Sequence, residues 1–195
     1  MNTFKKLLCF VSLLSAFALH ADKAPNFTLT DTNGTEHSLS DFAGKTVVLE
    51  WFNAGCPFVM KHYSKGNMQT LQADYTDKGV VWLSIVSSAP GKQGHGSAAD
   101  HNAKISEWKM KPSAVLMDED GAVGKSYDAK VTPHMFVINP EGEIVYNGAI
   151  DSKRSTNADD IPNSTNYVKA ALDAVLAGEA VEVATTQPYG CSVKY

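Results

Sequence analysis

The stretch from Thr46 to Pro57 restricts this chain more than any other. Thr46-Val47-Val48-Leu49-Glu50-Trp51-Phe52 is nearly continuous apolar sequence, and Asn53-Ala54-Gly55-Cys56-Pro57 follows at once. Such a run reads as a strand buried on both faces. A proline directly after Cys56 suits the first turn of a helix, where no amide donor is needed. The order predicts strand, tight loop, then helix, with Cys56 at the junction. Unpaired amides and the helix dipole at that end stabilise negative charge. A thiol placed there ionises more readily, and the thiolate is the reactive form. Lys61 and His62, one to two turns on, are expected to add positive potential. A blander reading stands beside this one: Cys56 as an inert buried residue, or as half of a fixed disulfide.

The rest of the chain alternates strand and helix signals, which predicts an α/β fold. Strands are expected near 26–30, 80–86 and 114–117, with a hairpin from His134–Ile138 and Glu143–Asn147 around Asn139-Pro140-Glu141-Gly142. Leu39 to Gly44 reads as one helical turn. One helix is expected from Pro57 to about Lys78, bent near Gly66, and another from about Ala98 to Met110 with Ile105 and Trp108 facing inward. Residues 88–97 carry Pro90, Gly91, Gly94 and Gly96 and read as a mobile loop. A short helix is expected from Ala122 to Tyr127. A last helix, near 165–177, carries Val168, Leu172 and Val175 on one stripe and stops at Gly178.

The first residues bound the compartment. Lys5-Lys6, an apolar run from Leu7 to Leu19 and small residues at Ala18 and Ala21 form a secretory signal pattern. The expected organisation is 1–21 removed as a signal peptide, a 22–178 domain and a 179–195 tail. The run is shorter than the roughly 20 residues a membrane span needs, so no membrane attachment is expected after cleavage. The product is expected in the periplasm or outside the cell. The net charge of −4 becomes two units more negative once Lys5 and Lys6 are lost, and Arg154 is the sole arginine. That composition argues against nucleic-acid binding, which rests on clustered Lys and Arg. Of the three cysteines, Cys9 lies in the signal, leaving Cys56 and Cys191 in an oxidising compartment. They are read either as a structural disulfide or as a site with a reactive thiol.

Thr132-Pro133 precedes the hairpin strand. A cis bond there would expose the Thr132 backbone at a strand edge, where an extended substrate chain could pair. Trp51-Phe52-Asn53-Ala54-Gly55-Cys56-Pro57-Phe58-Val59, with Val131-Thr132-Pro133 downstream, resembles the active-site strand–loop–helix and cis-proline loop of the thioredoxin fold. The opening Ala24-Pro25-Asn26-Phe27-Thr28-Leu29, with Ser38 to Phe42 and Gly44-Lys45, resembles the start of redoxin domains, the peroxiredoxin branch of that superfamily. The block Cys56 to Tyr63 and the close from Gln187 to Tyr195 resemble a peroxiredoxin-like group within it. The resemblance implies a central mixed sheet flanked by helices, with a cysteine-bearing C-terminal tail. It implies Cys56 as the nucleophile, and Thr132, Pro133 and Phe58 at the substrate side. Val59 stands where a dithiol thioredoxin has its second cysteine. Asn53 stands where a peroxiredoxin has threonine, and that family's peroxidatic cysteine also aligns with Val59.

Cys191 is the natural candidate for the missing partner, on a tail expected to be flexible after Gly178. It is read either as a resolving thiol or as a static clamp, within the chain or to another subunit. The favoured function is an exported thiol-disulfide oxidoreductase acting on protein or small-molecule disulfides, recycled by an unidentified reductant. The alternatives are a thiol-dependent peroxidase and a non-catalytic binding module such as a copper carrier, for which Cys56, Met60, His62 and His134 are the available soft ligands. No metal or other cofactor is expected. Met60 is read as a packing residue, His62 as lying on the exposed side of its helix, and His37, His95 and His101 as turn or surface residues. His134 is the one histidine expected near Cys56.

Overall fold

The computed structural model describes residues 22–195; the predicted signal peptide lies outside the described residues. Seven strands form one mixed sheet in the order β2-β1-β5-β4-β3-β7-β8. They are β1 (Thr28–Asp31), β2 (Glu36–Ser38), β3 (Val47–Trp51), β4 (Val81–Val86), β5 (Ala114–Met117), β7 (His134–Ile138) and β8 (Ile144–Gly148). Strands β5, β4 and β3 run parallel, and the other neighbours pair antiparallel. Two short strands, β6 (Val131–Thr132) and β9 (Cys191–Ser192), form a separate antiparallel ribbon.

The pleat explains the apolar runs. On β3 and β4, Val47, Leu49, Trp51, Val81, Leu83 and Ile85 point to one face, and Val48, Trp82 and Val86 to the other. With helices or loops on both sides, neither face can be polar. The second face is covered by α1 (Pro57–Ser64), α2 (Asn67–Thr76) and α5 (Tyr167–Ala177), through Val59, Tyr63, Met68, Leu71, Val168 and Leu172. The first face is covered by α4 (Ala122–Ser126) and the N-terminal segment, through Val123 and Phe27. Helix α3 (Ala98–Glu107) lies at the edge, with Ile105 and the following Trp108 packed inward as expected.

Two expectations need correction, and a third, the buried strand, holds with an added feature. The single bent helix after Cys56 is two helices, because Gly66 takes a left-handed φ of 77° and ends the first while capping the second. The strand at 46–52 hides a charge: Glu50 is fully buried, accepting bonds from Tyr63, Gln72, Trp82 and Ser84. Burial raises the pKa of its carboxyl even though these four donors pull the other way. The tail after Gly178 is docked along its length. Thr186 is bound at Tyr146 and Ala149, Lys194 O accepts from Ala89 N, and Tyr195 sits over Gly121 and Gly124 with its hydroxyl on Ala129 O.

Candidate active site

Cys56 is the N-cap of α1, in extended conformation (φ −88°, ψ 122°), with Pro57 as the first helical residue. Asn53 shapes the loop that delivers it: its side-chain carbonyl accepts from Gly55 N and its amide donates to Gln93 O. Gln93 closes over the loop, donating to Gly55 O. So the glycine-rich segment 88–97 is tied to the cysteine loop.

The Thr132-Pro133 peptide bond is cis. The Thr132 carbonyl oxygen lies 3.1 Å from Cys56 Sγ. Strand β9 pairs with β6 in the register Thr132↔Cys191 and Val131↔Ser192. The pairing brings Cys191 Sγ to 2.8 Å from Cys56 Sγ, both cysteines being free thiols. Four of the residues singled out from sequence, Cys56, Thr132, Pro133 and Cys191, thus converge. Phe58 is half-buried beside them, its ring edge-on to Tyr189 at 5.8 Å.

The two thiols are electrostatically unequal. Burial pushes the Cys56 thiol up, but the Cys191 thiol and the amides of Val59 and Cys191 outweigh it and hold the pKa below the usual value. Burial and the neighbouring Cys56 sulfur push Cys191 up to about 11, against a small opposing effect of Lys194. The first proton therefore leaves Cys56, and the Cys191 S–H is placed to donate to the thiolate.

Several expectations about the surroundings are corrected. Cys56 has no exposed surface, and the Thr132 edge is occupied by the chain's own tail. Lys61 contributes no free positive charge. It is fully buried and bound to Asp151 Oδ2 at 2.9 Å, Lys153 O at 2.7 Å and Tyr189 Oη at 3.2 Å. Tyr189 also donates a short bond to Asp151 Oδ1. His62 is buried rather than exposed, with Nδ1 on Asn67, and burial lowers its pKa to about 4, so it is neutral. His101 is buried in α3. His134 turns away to Asn147 at 2.7 Å. Met60, read as packing, is about half exposed (48%). His62 and His134 thus have partners other than Cys56, and among the described residues no group of three or more His, Cys, Asp or Glu is placed to hold a metal ion. Arg154 stands exposed in its loop.

The Lys61–Asp151–Tyr189 cluster escaped the sequence reading. Its members lie 90 and 128 residues apart from Lys61, and no local pattern marks them.

A mixed sheet carrying a cysteine at a strand–helix junction beside a cis proline defines a thioredoxin-like protein. Residues 19–163 match the Redoxin family, and the chain belongs to it. The match stops short of the tail that carries Cys191. A crystal structure titled an uncharacterized conserved protein from Geobacillus kaustophilus is 29% identical, with a TM-score of 0.75 over 90% of this chain and 91% of that one. A hypothetical protein from Sinorhizobium meliloti shares the fold at 24% identity, with a TM-score of 0.74 over 90% of this chain and 93% of that one. The thiol-disulfide oxidoreductase ResA of Bacillus subtilis is 34% identical over 122 residues. That alignment spans 63% of this chain and 63% of ResA.

Proposed function

We propose that this protein is a thiol-disulfide oxidoreductase in which Cys56 is the nucleophile and Cys191 the resolving thiol. The observation that carries the reading is the 2.8 Å approach of two free thiols, one with a lowered pKa, beside the cis Thr132-Pro133 bond. The likeness to ResA supports the same chemistry. Cys56 thiolate attacks one sulfur of a substrate disulfide. That S–S bond breaks, a Cys56–substrate disulfide forms, and the other substrate sulfur leaves as a thiolate that takes up a proton. Cys191, losing its proton, then attacks Cys56 Sγ. The mixed disulfide breaks, Cys56–Cys191 forms, and the second substrate thiol departs. The substrate disulfide has gained two electrons, and a dithiol reductant must return the pair to thiols.

The working unit is 22–178 with the 179–195 tail docked on it, after removal of 1–21. Thr132, Pro133 and Phe58 form the substrate side. The signal pattern supports export to the periplasm or beyond; among the described residues no helix is long and apolar enough to cross a membrane. The substrates are disulfides of proteins or small molecules. The test is turnover of a disulfide-linked fluorogenic peptide with a dithiol reductant. Cys56→Ser should abolish it, and Cys191→Ser should accumulate a mixed disulfide visible by mass spectrometry. Full activity in Cys56→Ser would overturn the reading.

A further inference from the structure

Cys191 stands on the side from which any substrate sulfur must come. The hydrogen-bonding partners of Cys56 Sγ are the Val59 amide in α1, the Thr132 carbonyl and Cys191. The helix and the cis-proline turn are parts of the folded core. Cys191, half-buried, belongs to the one strand here that follows the last helix and can in principle separate from the sheet. A disulfide sulfur within bonding reach of Cys56 needs the space Cys191 holds. On the proposed function, tail and substrate strand take turns in this slot: the tail lifts for the substrate to enter, and its return brings Cys191 onto the mixed disulfide as the substrate strand leaves.

The tail is held as an added strand, and its side chains read the slot. Its cysteine is opposite Thr132 in antiparallel register. The preceding residue is Gly190 at φ +152°, and a Cβ there would overlap the Thr132 carbonyl oxygen. The residue before that, Tyr189, rests its ring against Phe58 and sends its hydroxyl to Asp151 and Lys61. Strand addition supplies affinity through the backbone and specificity through such side-chain positions.

We infer that residues 189–192 are an internal stand-in for the substrate. The slot along Thr132 takes, in trans, an extended polypeptide whose reacting cysteine directly follows a glycine, with tyrosine before it. This rests on the proposed function and names its substrate class.

The test uses the full-length chain with Cys191→Ser, which removes the internal thiol and keeps the strand. It is offered two peptides, Tyr-Gly-Cys-Ser-Val and Tyr-Ala-Cys-Ser-Val, each with thionitrobenzoate disulfide-bonded to its cysteine. Cys56 thiolate attacks the peptide sulfur. The Cys56–peptide disulfide forms, the peptide–aryl S–S bond breaks, and the electron pair leaves on the coloured aryl thiolate. The glycine peptide should react faster by about tenfold or more, as expected for a backbone clash of this kind. Adding Tyr189→Phe should weaken the tail's grip and speed both peptides while preserving their ratio. Equal rates for the two peptides overturn the inference, as does a Tyr189→Phe variant that is no faster. The symmetric nitrobenzoate disulfide, which has no strand to pair, separates the two levels. Reaction with it alongside equal peptide rates sinks the slot and leaves the redox reading standing. No reaction with any of these disulfides sinks both.

Discussion

Gly190→Ala puts a methyl where the Thr132 carbonyl oxygen already stands. A carbon and an oxygen in contact need about 3.3 Å, so β9 must retreat from β6 by about 1 Å or more. The φ of +152° adds strain, since an L side chain held in a disfavoured region costs roughly 1–3 kcal/mol. Either response moves Cys191 away from its 2.8 Å approach to Cys56. If about 2 kcal/mol of this appears in the bridged form, the equilibrium constant for forming Cys56–Cys191 falls roughly thirtyfold. The assay equilibrates wild type and variant in graded glutathione buffers, quenches with acid, and counts thiols by mass spectrometry. Calorimetry of the reduced proteins reports the cost of undocking the tail alone, which should be a few degrees at most because the helices and central sheet are untouched. An unchanged glutathione midpoint would refute the claim that glycine at this position sets the register of the two sulfurs.

Three further outcomes follow from the same geometry. Lys61→Met leaves the Asp151 carboxylate buried without its cation; removing one partner of a buried pair costs about 3–5 kcal/mol, or roughly 10 °C in unfolding temperature, and a calorimetric shift of a degree or less would contradict it. Thiolate absorbance should rise in two steps, Cys56 first, lowered from the ordinary thiol value by its hydrogen bonds, and Cys191 near 11; a single step for both sulfurs would remove the electrostatic argument. Burial holds His62 and His134 near pKa 4 against an ordinary 6.5. The unfolded chain therefore takes up these protons first, so stability is full above 6.5 and is lost as pH falls toward 4, by up to roughly 3 kcal/mol per histidine. Urea midpoints that stay level across that window would show the two rings are not buried neutral.

Much of the site was readable before any coordinates. Thr46–Phe52 and Pro57 mark a strand end and a helix start through hydrophobicity and backbone chemistry that act within a few residues. Cys56 needs only its neighbours to be suspected. Thr132-Pro133 was suspected in the same way, although the cis bond itself depends on the fold. The misreadings share one cause. Lys61 reads as a source of positive potential and His62 as exposed because such side chains are normally solvated, and nothing near Glu50 in the sequence marks the four donors around it. Their burial depends on partners remote in sequence: Asp151 and Tyr189 for Lys61, Trp82 and Ser84 for Glu50.

The tail makes the division plain. Sequence alone determined the α/β alternation, the strand–cysteine–helix junction and the presence of a second thiol, since each is set by local periodicity, by the fixed φ of proline or by composition. Only the tertiary structure decided that the second thiol lies against the first, beside the Thr132-Pro133 turn. That outcome depends on the pairing of Cys191 with Thr132, on Tyr189 reaching Asp151, and on Tyr195 settling over Gly121 and Gly124. These are contacts between segments dozens of residues apart, which form only once the core has brought their ends together.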